Sequence, residues 1–130
     1  MNKNLIIVLL VIILPIIAYF FMDKTEAIST NNVEANKPQI IKFTSDMCSE
    51  CQKLDKIFPN VYSKYSKQIV LIKVPVQKRT KDVQNLITKY NVNLIPTMVF
   101  LNSSGKVVLR TEGSMTPKEL DKHMKDLINE

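Results

Sequence analysis

Asp46-Met47-Cys48-Ser49-Glu50-Cys51 contains the only two cysteines of this 130-residue chain, spaced Cys-x-x-Cys. The residues before it, ending in Phe43-Thr44-Ser45, read as a strand leaving a core, and those from 50 to about 65 read as a helix. Cys48 is thereby expected at the first helical turn, where unpaired backbone N–H groups and the positive end of the helix dipole favour an anion. A thiolate is favoured there, which makes Cys48 the expected attacking sulfur. Cys51, one turn deeper, is placed to close a disulfide with it.

Other roles for a cysteine pair fit less well. A structural zinc site wants four ligands, and the single histidine, His123, lies 72 residues beyond Cys51 with no further cysteine in the chain, so no metal is expected. A soft ion such as Cu(I), held by Cys48, Cys51 and Met47, is the alternative within metal chemistry. Inert buried thiols would be an odd use of a helix start directly after a strand. A purely structural staple between residues three apart would close a very short loop and constrain little. Dithiol/disulfide chemistry is the reading these residues favour.

The N-terminus has a different character. Leu5 to Met22 is an unbroken run of 18 apolar residues with Pro15 inside it. At ~1.5 Å per residue such a helix nearly crosses a ~30 Å hydrocarbon layer, with Tyr19-Phe20-Phe21 at an interface. Residues 1–22 are therefore expected to be a single-pass membrane anchor. A cleaved signal peptide, with Thr25-Glu26-Ala27 as a tolerable cleavage site, is the competing reading, but its apolar region is typically only ~7–15 residues. No cysteine lies near the end of the run to carry a lipid. Lys3 and the amino terminus outweigh Lys24, which Asp23 and Glu26 offset, so the domain is expected on the extracytoplasmic side. Residues 23–37 are polar without a sustained period and read as a tether, leaving 38–130 as one domain.

That domain carries 15 Lys and Arg against 9 Asp and Glu, a net +6, spread without a dense run and without interleaved aromatics. The pattern describes a solvated basic surface rather than a nucleic-acid interface, so no nucleic-acid partner is expected.

Along the domain, 39–44 reads as a strand. The helix after the cysteines carries Leu54, Ile57, Phe58, Val61, Tyr62 and Tyr65 as one apolar stripe, with a kink or break expected near Phe58 because of Pro59. The run 69–74 is continuous and β-branched, as in a strand buried on both faces. A second helix is expected over 81–90 with Val83, Leu86, Ile87 and Tyr90 inward. Strands over 97–101 and 106–111 flank an Asn102-Ser-Ser-Gly turn and form an antiparallel hairpin. Thr116-Pro117-x-Glu119 supplies a cap, a first-turn proline and a capping-box acid for a last helix to about 129, with Leu120, Met124, Leu127 and Ile128 inward. The expected order is βαβαββα, a four-stranded mixed sheet with helices on both faces. His123 is expected to be a packed or exposed side chain.

With these elements in place the chain resembles the thioredoxin family over about residues 39–130. Phe43-x-x-x-x-Cys48-x-x-Cys51 resembles the family's active-site strand and helix start. Tyr90-Asn-Val-Asn-Leu-Ile95-Pro96-Thr97 is similar to its second landmark, and Gly113 to its late glycine. The resemblance implies a thioredoxin-like α/β fold and a cis bond before Pro96 facing the cysteines. Proline is the one residue for which the cis form lies within ~1 kcal/mol of trans in an open chain. It implies a thiol–disulfide oxidoreductase in which Cys48 is the nucleophile and Cys51 the resolving cysteine, with Ile95, Pro96 and Met47 on the substrate-binding face. No cofactor beyond the redox-active Cys48–Cys51 disulfide is implied. Protein thiols or disulfides are the implied substrates, and electrons must come from a transmembrane or soluble donor. Membrane-anchored members serve cytochrome c maturation, and the layout here is similar.

Three departures from the family stand out. Met47 takes the place of its usual tryptophan, Ser49-Glu50 that of Gly-Pro, and Lys42 that of the buried acid that helps deprotonate the second cysteine. Glu50 and Lys42 are therefore the residues expected to tune the sulfurs. A carboxylate near Cys48 disfavours its thiolate and makes the dithiol more reducing, while Lys42 pulls the other way. With no strongly oxidising pair between the cysteines, a reductase is favoured over an oxidase. A thioredoxin-fold adaptor whose disulfide is only structural is the remaining alternative.

Overall fold

The computed structural model of the chain describes residues 2–22 and 36–130, with backbone only for 18–22. Eight elements follow in order: α1 (Lys3–Met22), β1 (Gln39–Thr44), α2 (Ser49–Tyr62), β2 (Val70–Pro75), α3 (Lys81–Lys89), β3 (Thr97–Leu101), β4 (Val107–Glu112) and α4 (Pro117–Ile128). The four strands form one sheet in the order β2-β1-β3-β4, with β1 parallel to β2 and antiparallel to β3, and β4 returning antiparallel to β3. This is the four-stranded mixed sheet expected from the sequence.

Strand alternation sorts the core onto two faces. On one, Ile40 of β1 and Met98 and Phe100 of β3 pack with Leu54 and Phe58 of α2 and with Leu120 and Met124 of α4. On the other, Ile41 and Phe43 pack with Val74, Val99 and Val83 of α3. β1 and β3 are central and almost wholly buried, so the chain leaves the middle of the sheet just before the cysteines.

Two expectations need correction. The run 69–74 is not a strand buried on both faces. The strand is Val70–Pro75, it lies at the sheet edge with β1 as its one neighbour, and only Val74 is fully buried while Lys73 is exposed. Its β-branched composition suits a pleated edge as well as a centre, which periodicity does not distinguish. Pro59 does not break its helix: α2 runs through it to Tyr62, and the Ser63 N–H donates to the Pro59 carbonyl at 3.0 Å. Proline withholds one bond from the Asp55 carbonyl, and the burial of Phe58 and Val61 on either side keeps the helix seated. Tyr65 lies beyond the helix but still packs against the same core, because turns over 62–69 continue the winding.

α4 begins as expected. Thr116 and Glu119 form a capping box, with the Thr116 N–H donating to Glu119 Oε2 at 2.8 Å and the Glu119 N–H to Thr116 Oγ1 at 3.2 Å. His123 is a packed side chain, its ring 5.8 Å from that of Phe100.

From residue 5 to residue 17 α1 is apolar on every face, and these side chains are exposed. Among the described residues no helix is long and apolar enough to cross a membrane. The interfacial aromatics 19–21 and most of the tether, 23–35, lie outside the described side chains and residues.

Candidate functional site at the mouth of α2

The segment that joins β1 to α2 is held by its own backbone. The Cys48 N–H donates to the Ser45 carbonyl at 3.2 Å, and the Met47 N–H to Ser45 Oγ at 3.3 Å. Gln52 Nε2 donates to the Asp46 carbonyl at 2.8 Å, and Gln77 Nε2 to Asp46 Oδ2 at 3.0 Å, so the loop is tied to α2 and to the segment after β2. Cys48 sits in extended backbone as the N-cap of α2, and its sulfur accepts the Cys51 N–H at 3.2 Å. A sulfur thus does the capping work that a serine or aspartate oxygen usually does. The two cysteines are free thiols, Cys48 half-buried and Cys51 fully buried.

Opposite them lies the loop before β3. The Ile95–Pro96 bond is cis, and the Cys48 thiol points at the Ile95 carbonyl, Sγ to O 3.7 Å. The Pro96 carbonyl accepts the Gly113 N–H at 2.8 Å. Gly113 holds a φ of +84°, a left-handed backbone that suits glycine and brings the β4–α4 segment against this loop. Cysteine pair, proline loop and glycine turn, read as separate landmarks in the sequence, form one cluster. A family model described as a thioredoxin-like domain matches residues 26–128. The chain belongs to the thioredoxin-like family.

Among relatives of this thioredoxin-like domain, the thiol:disulfide interchange protein DsbD of Photorhabdus laumondii is 27% identical over 110 residues, covering 81% of this chain and 19% of that protein. Thioredoxin-T of Drosophila melanogaster is 28% identical over 74 residues, covering 57% of this chain and 45% of that one. The chain therefore spans less than half the length of these curated relatives. Among solved structures, the germline-specific thioredoxin Deadhead of Drosophila melanogaster superposes with a TM-score of 0.61 at 25% identity, over 71% of this chain and 82% of that one. Thioredoxin-2 of the malaria parasite's protein secretion machinery does so with a TM-score of 0.62 at 22% identity, over 70% and 84%. The latter likeness is one of fold.

Within the thioredoxin-like site, the structure brings Cys48, Cys51, Ile95 and Pro96 together and leaves Met47 beside them, 92% exposed. Leu94, next to Ile95 in the chain, is a second exposed apolar side chain, at 54%. The two charged residues expected to tune the sulfurs are both engaged elsewhere. The Glu50 carboxylate accepts from Lys53 Nζ at 2.5 Å and from the Ser114 hydroxyl, and these bonds, Lys53 first, hold it below the usual carboxylate range. Lys42 is buried to 1% exposure, its ammonium paired with Asp55 and lying 4.6 Å from the centre of the Phe58 ring.

What acts on Cys51 is different. Burial pushes its thiol above the ordinary range, and the neighbouring Cys48 sulfur adds to this. The Ser45 backbone and the Thr44 side chain pull the other way. Sequence reasoning does not single out Thr44, Ser45, Asp55 or Ser114. Asp55 lies four residues after Cys51, on the same helix face, and this spacing was the one available signal.

Chemically, the arrangement presents a capped, partly open sulfur beside a carbonyl edge, with a second thiol sealed behind it. Among the described residues no cluster of three or more His, Cys, Asp and Glu side chains is placed to hold a metal ion.

Proposed function

We propose that this chain is a thiol–disulfide oxidoreductase that reduces disulfides of other proteins, held at a membrane by residues 5–22 with its domain on the extracytoplasmic side. The observation that carries the reading is the placement of the Cys48 sulfur. It accepts the Cys51 N–H at 3.2 Å at the start of α2, and the Ile95 carbonyl lies 3.7 Å away beside cis-Pro96. An N–H aimed at that sulfur suits an anion, and the exposed Met47 and Leu94 side chains suit an apolar polypeptide segment.

In this reading the Cys48 thiolate attacks a substrate disulfide and forms a mixed disulfide, releasing one substrate thiol. Cys51 then attacks Cys48, releasing the second substrate thiol and leaving Cys48–Cys51 oxidised. Ile95 and Pro96 border the substrate, and Met47 contacts it. A transmembrane or soluble dithiol donor returns the two electrons. The reducing direction is supported by the burial of Cys51, which disfavours an anion on the inner sulfur and so withholds that stabilisation from the reduced form. The resemblance to DsbD, whose name describes thiol:disulfide interchange, supports the class of reaction. The exposed apolar surface of α1 supports the anchor, which would raise the local concentration of membrane-bound partners, including those of cytochrome c maturation.

The test uses the full chain in detergent or vesicles with protein disulfide substrates. Cys51→Ser is expected to accumulate mixed disulfides on Cys48, and Cys48→Ser to accumulate none. Equal trapping by both variants, or by neither, would refute the reading. A reduction potential of the pair near −120 mV, that of a strong oxidant, rather than about −270 mV, would reverse the proposed direction.

A further inference from the structure

Cys51 must lose a proton before it can attack, yet it is fully buried, and Lys42 and Glu50 are both occupied by other partners. The facing residues of β1 and α2 show what else is available. Ile40, Lys42 and Thr44 share one side of β1, and the first two mark that side as the one packed on α2: Ile40 in the core with Leu54 and Phe58, Lys42 paired to Asp55 and over Phe58. The chain reverses between the two elements, so each step of two residues back along β1 faces about one turn further along α2. Lys42 lies against Asp55 and Phe58, which sets Thr44 against the turn before Asp55, where Cys51 stands. The Thr44 hydroxyl is buried and makes no hydrogen bond of regular geometry, leaving it available to the sulfur.

The geometry points to Thr44 as the positioning residue for the second step, its hydroxyl serving the Cys51 sulfur in both protonation states. This rests on the oxidoreductase reading above. A hydroxyl can accept the S–H of the thiol and, by rotating, donate to the thiolate, which a carboxylate cannot do without itself carrying a proton. The Ser45 backbone is the second group that favours the Cys51 anion, so the end of β1 offers two favourable groups to a thiolate formed out of water. In the step they serve, the Cys51 S–H bond breaks and a Cys51–Cys48 bond forms as the Cys48–substrate disulfide breaks. The proton ends on the departing substrate sulfur, and the substrate is reduced while the cysteine pair is oxidised.

Thr44→Val keeps the shape and removes the hydroxyl. Losing a buried hydroxyl without a regular partner leaves folding neutral or improved. Thr44→Ser keeps the hydroxyl. Thr111→Val removes the other buried hydroxyl that lacks a partner among the described residues, one with no part in setting Cys51, and serves as the control. The full-length reduced protein in detergent is mixed with a peptide disulfide, acid-quenched over time and resolved by mass, which gives the formation and lifetime of the mixed disulfide. Thr44→Val is expected to form the mixed disulfide at the wild-type rate and to resolve it about tenfold more slowly, with the midpoint of its pH profile moved upward. Thr44→Ser and Thr111→Val are expected to follow the wild type. Resolution by Thr44→Val at the wild-type rate and pH midpoint overturns the inference, as does equal slowing in Thr44→Ser. Absence of any mixed disulfide in the wild type would instead refute the parent reading.

Discussion

Two sulfurs three residues apart live in different solvents. Cys48 caps α2 at the surface, beside an N–H, a carbonyl and the open Met47 side chain, whereas Cys51 is enclosed between the helix and the end of β1. The spacing makes them chemical equals, and one helical turn of depth separates them. A helix start is where a chain passes from solvent to core, so a Cys-x-x-Cys pair placed there divides into one sulfur that meets other molecules and one that waits behind it.

The largest effect that would break this division is loss of activity by a single atom. Cys48→Ala is expected to reduce turnover of a protein disulfide at least about a thousandfold, whereas Cys51→Ala retains the first covalent step and stalls after it. Stoichiometric mixed-disulfide formation by Cys48→Ala would show that the inner sulfur reaches substrate by itself. Alkylation of the reduced protein with iodoacetamide at neutral pH is expected to label Cys48 at least about tenfold faster than Cys51. Equal labelling would erase the distinction.

The Lys42–Asp55 pair tests whether charge behind Cys51 contributes. Asp55→Ala leaves a buried ammonium without its partner. Because Asp55 is 46% exposed, its loss is expected to cost about 2 kcal/mol by urea denaturation, below the ~3–5 of a fully buried pair. Lys42→Met with Asp55→Ala is expected to recover to within about 1 kcal/mol of the wild type. Cys51 alkylation in the double variant is expected to match the wild type, since the groups acting on that thiol are Cys48, Ser45 and Thr44.

A pH measurement sharpens the contrast further. Burial holds the Cys51 thiol above its ordinary range, so the folded dithiol keeps a proton over a window in which the unfolded chain has lost it. Its contribution to stability is whole below about pH 8.5 and declines as pH rises through that window, by at most about 1.4 kcal/mol per unit. Denaturant midpoints of the reduced protein are expected to fall above that pH relative to Cys51→Ala. Parallel curves would place Cys51 in a wetter site. The smallest effect belongs to the rim: Met47→Ala is expected to raise KM for a protein disulfide about two- to threefold and leave stability within ~0.5 kcal/mol.

Much of this site was legible in advance. The limits of β1 and β3 matched the sequence reading because both are short apolar runs bounded by polar residues, and α4 because its capping box is local chemistry. The meeting of Cys48 with Ile95 and Pro96 was legible only through the family resemblance, since no local rule joins residues 47 positions apart. The edge position of β2 was not legible, because β-branched residues suit both edges and centres. Nor were the bonds from Ser114 to Glu50 and from Lys42 to Asp55, which depend on how β1, α2 and the 113–115 segment are stacked.

By itself the sequence determined the chemistry and the local geometry: a sulfur at a helix start, a proline with access to the cis form, a glycine able to turn left-handed, and an apolar N-terminal run. These follow from covalent structure and from interactions a few residues long. Only the tertiary structure decided which groups face Cys51, that Lys42 is paired with Asp55, and that Ser114 reaches Glu50. A buried group's partners are set by the packing of elements distant in sequence, and the desolvation that gives those partners their weight exists only once the core has closed.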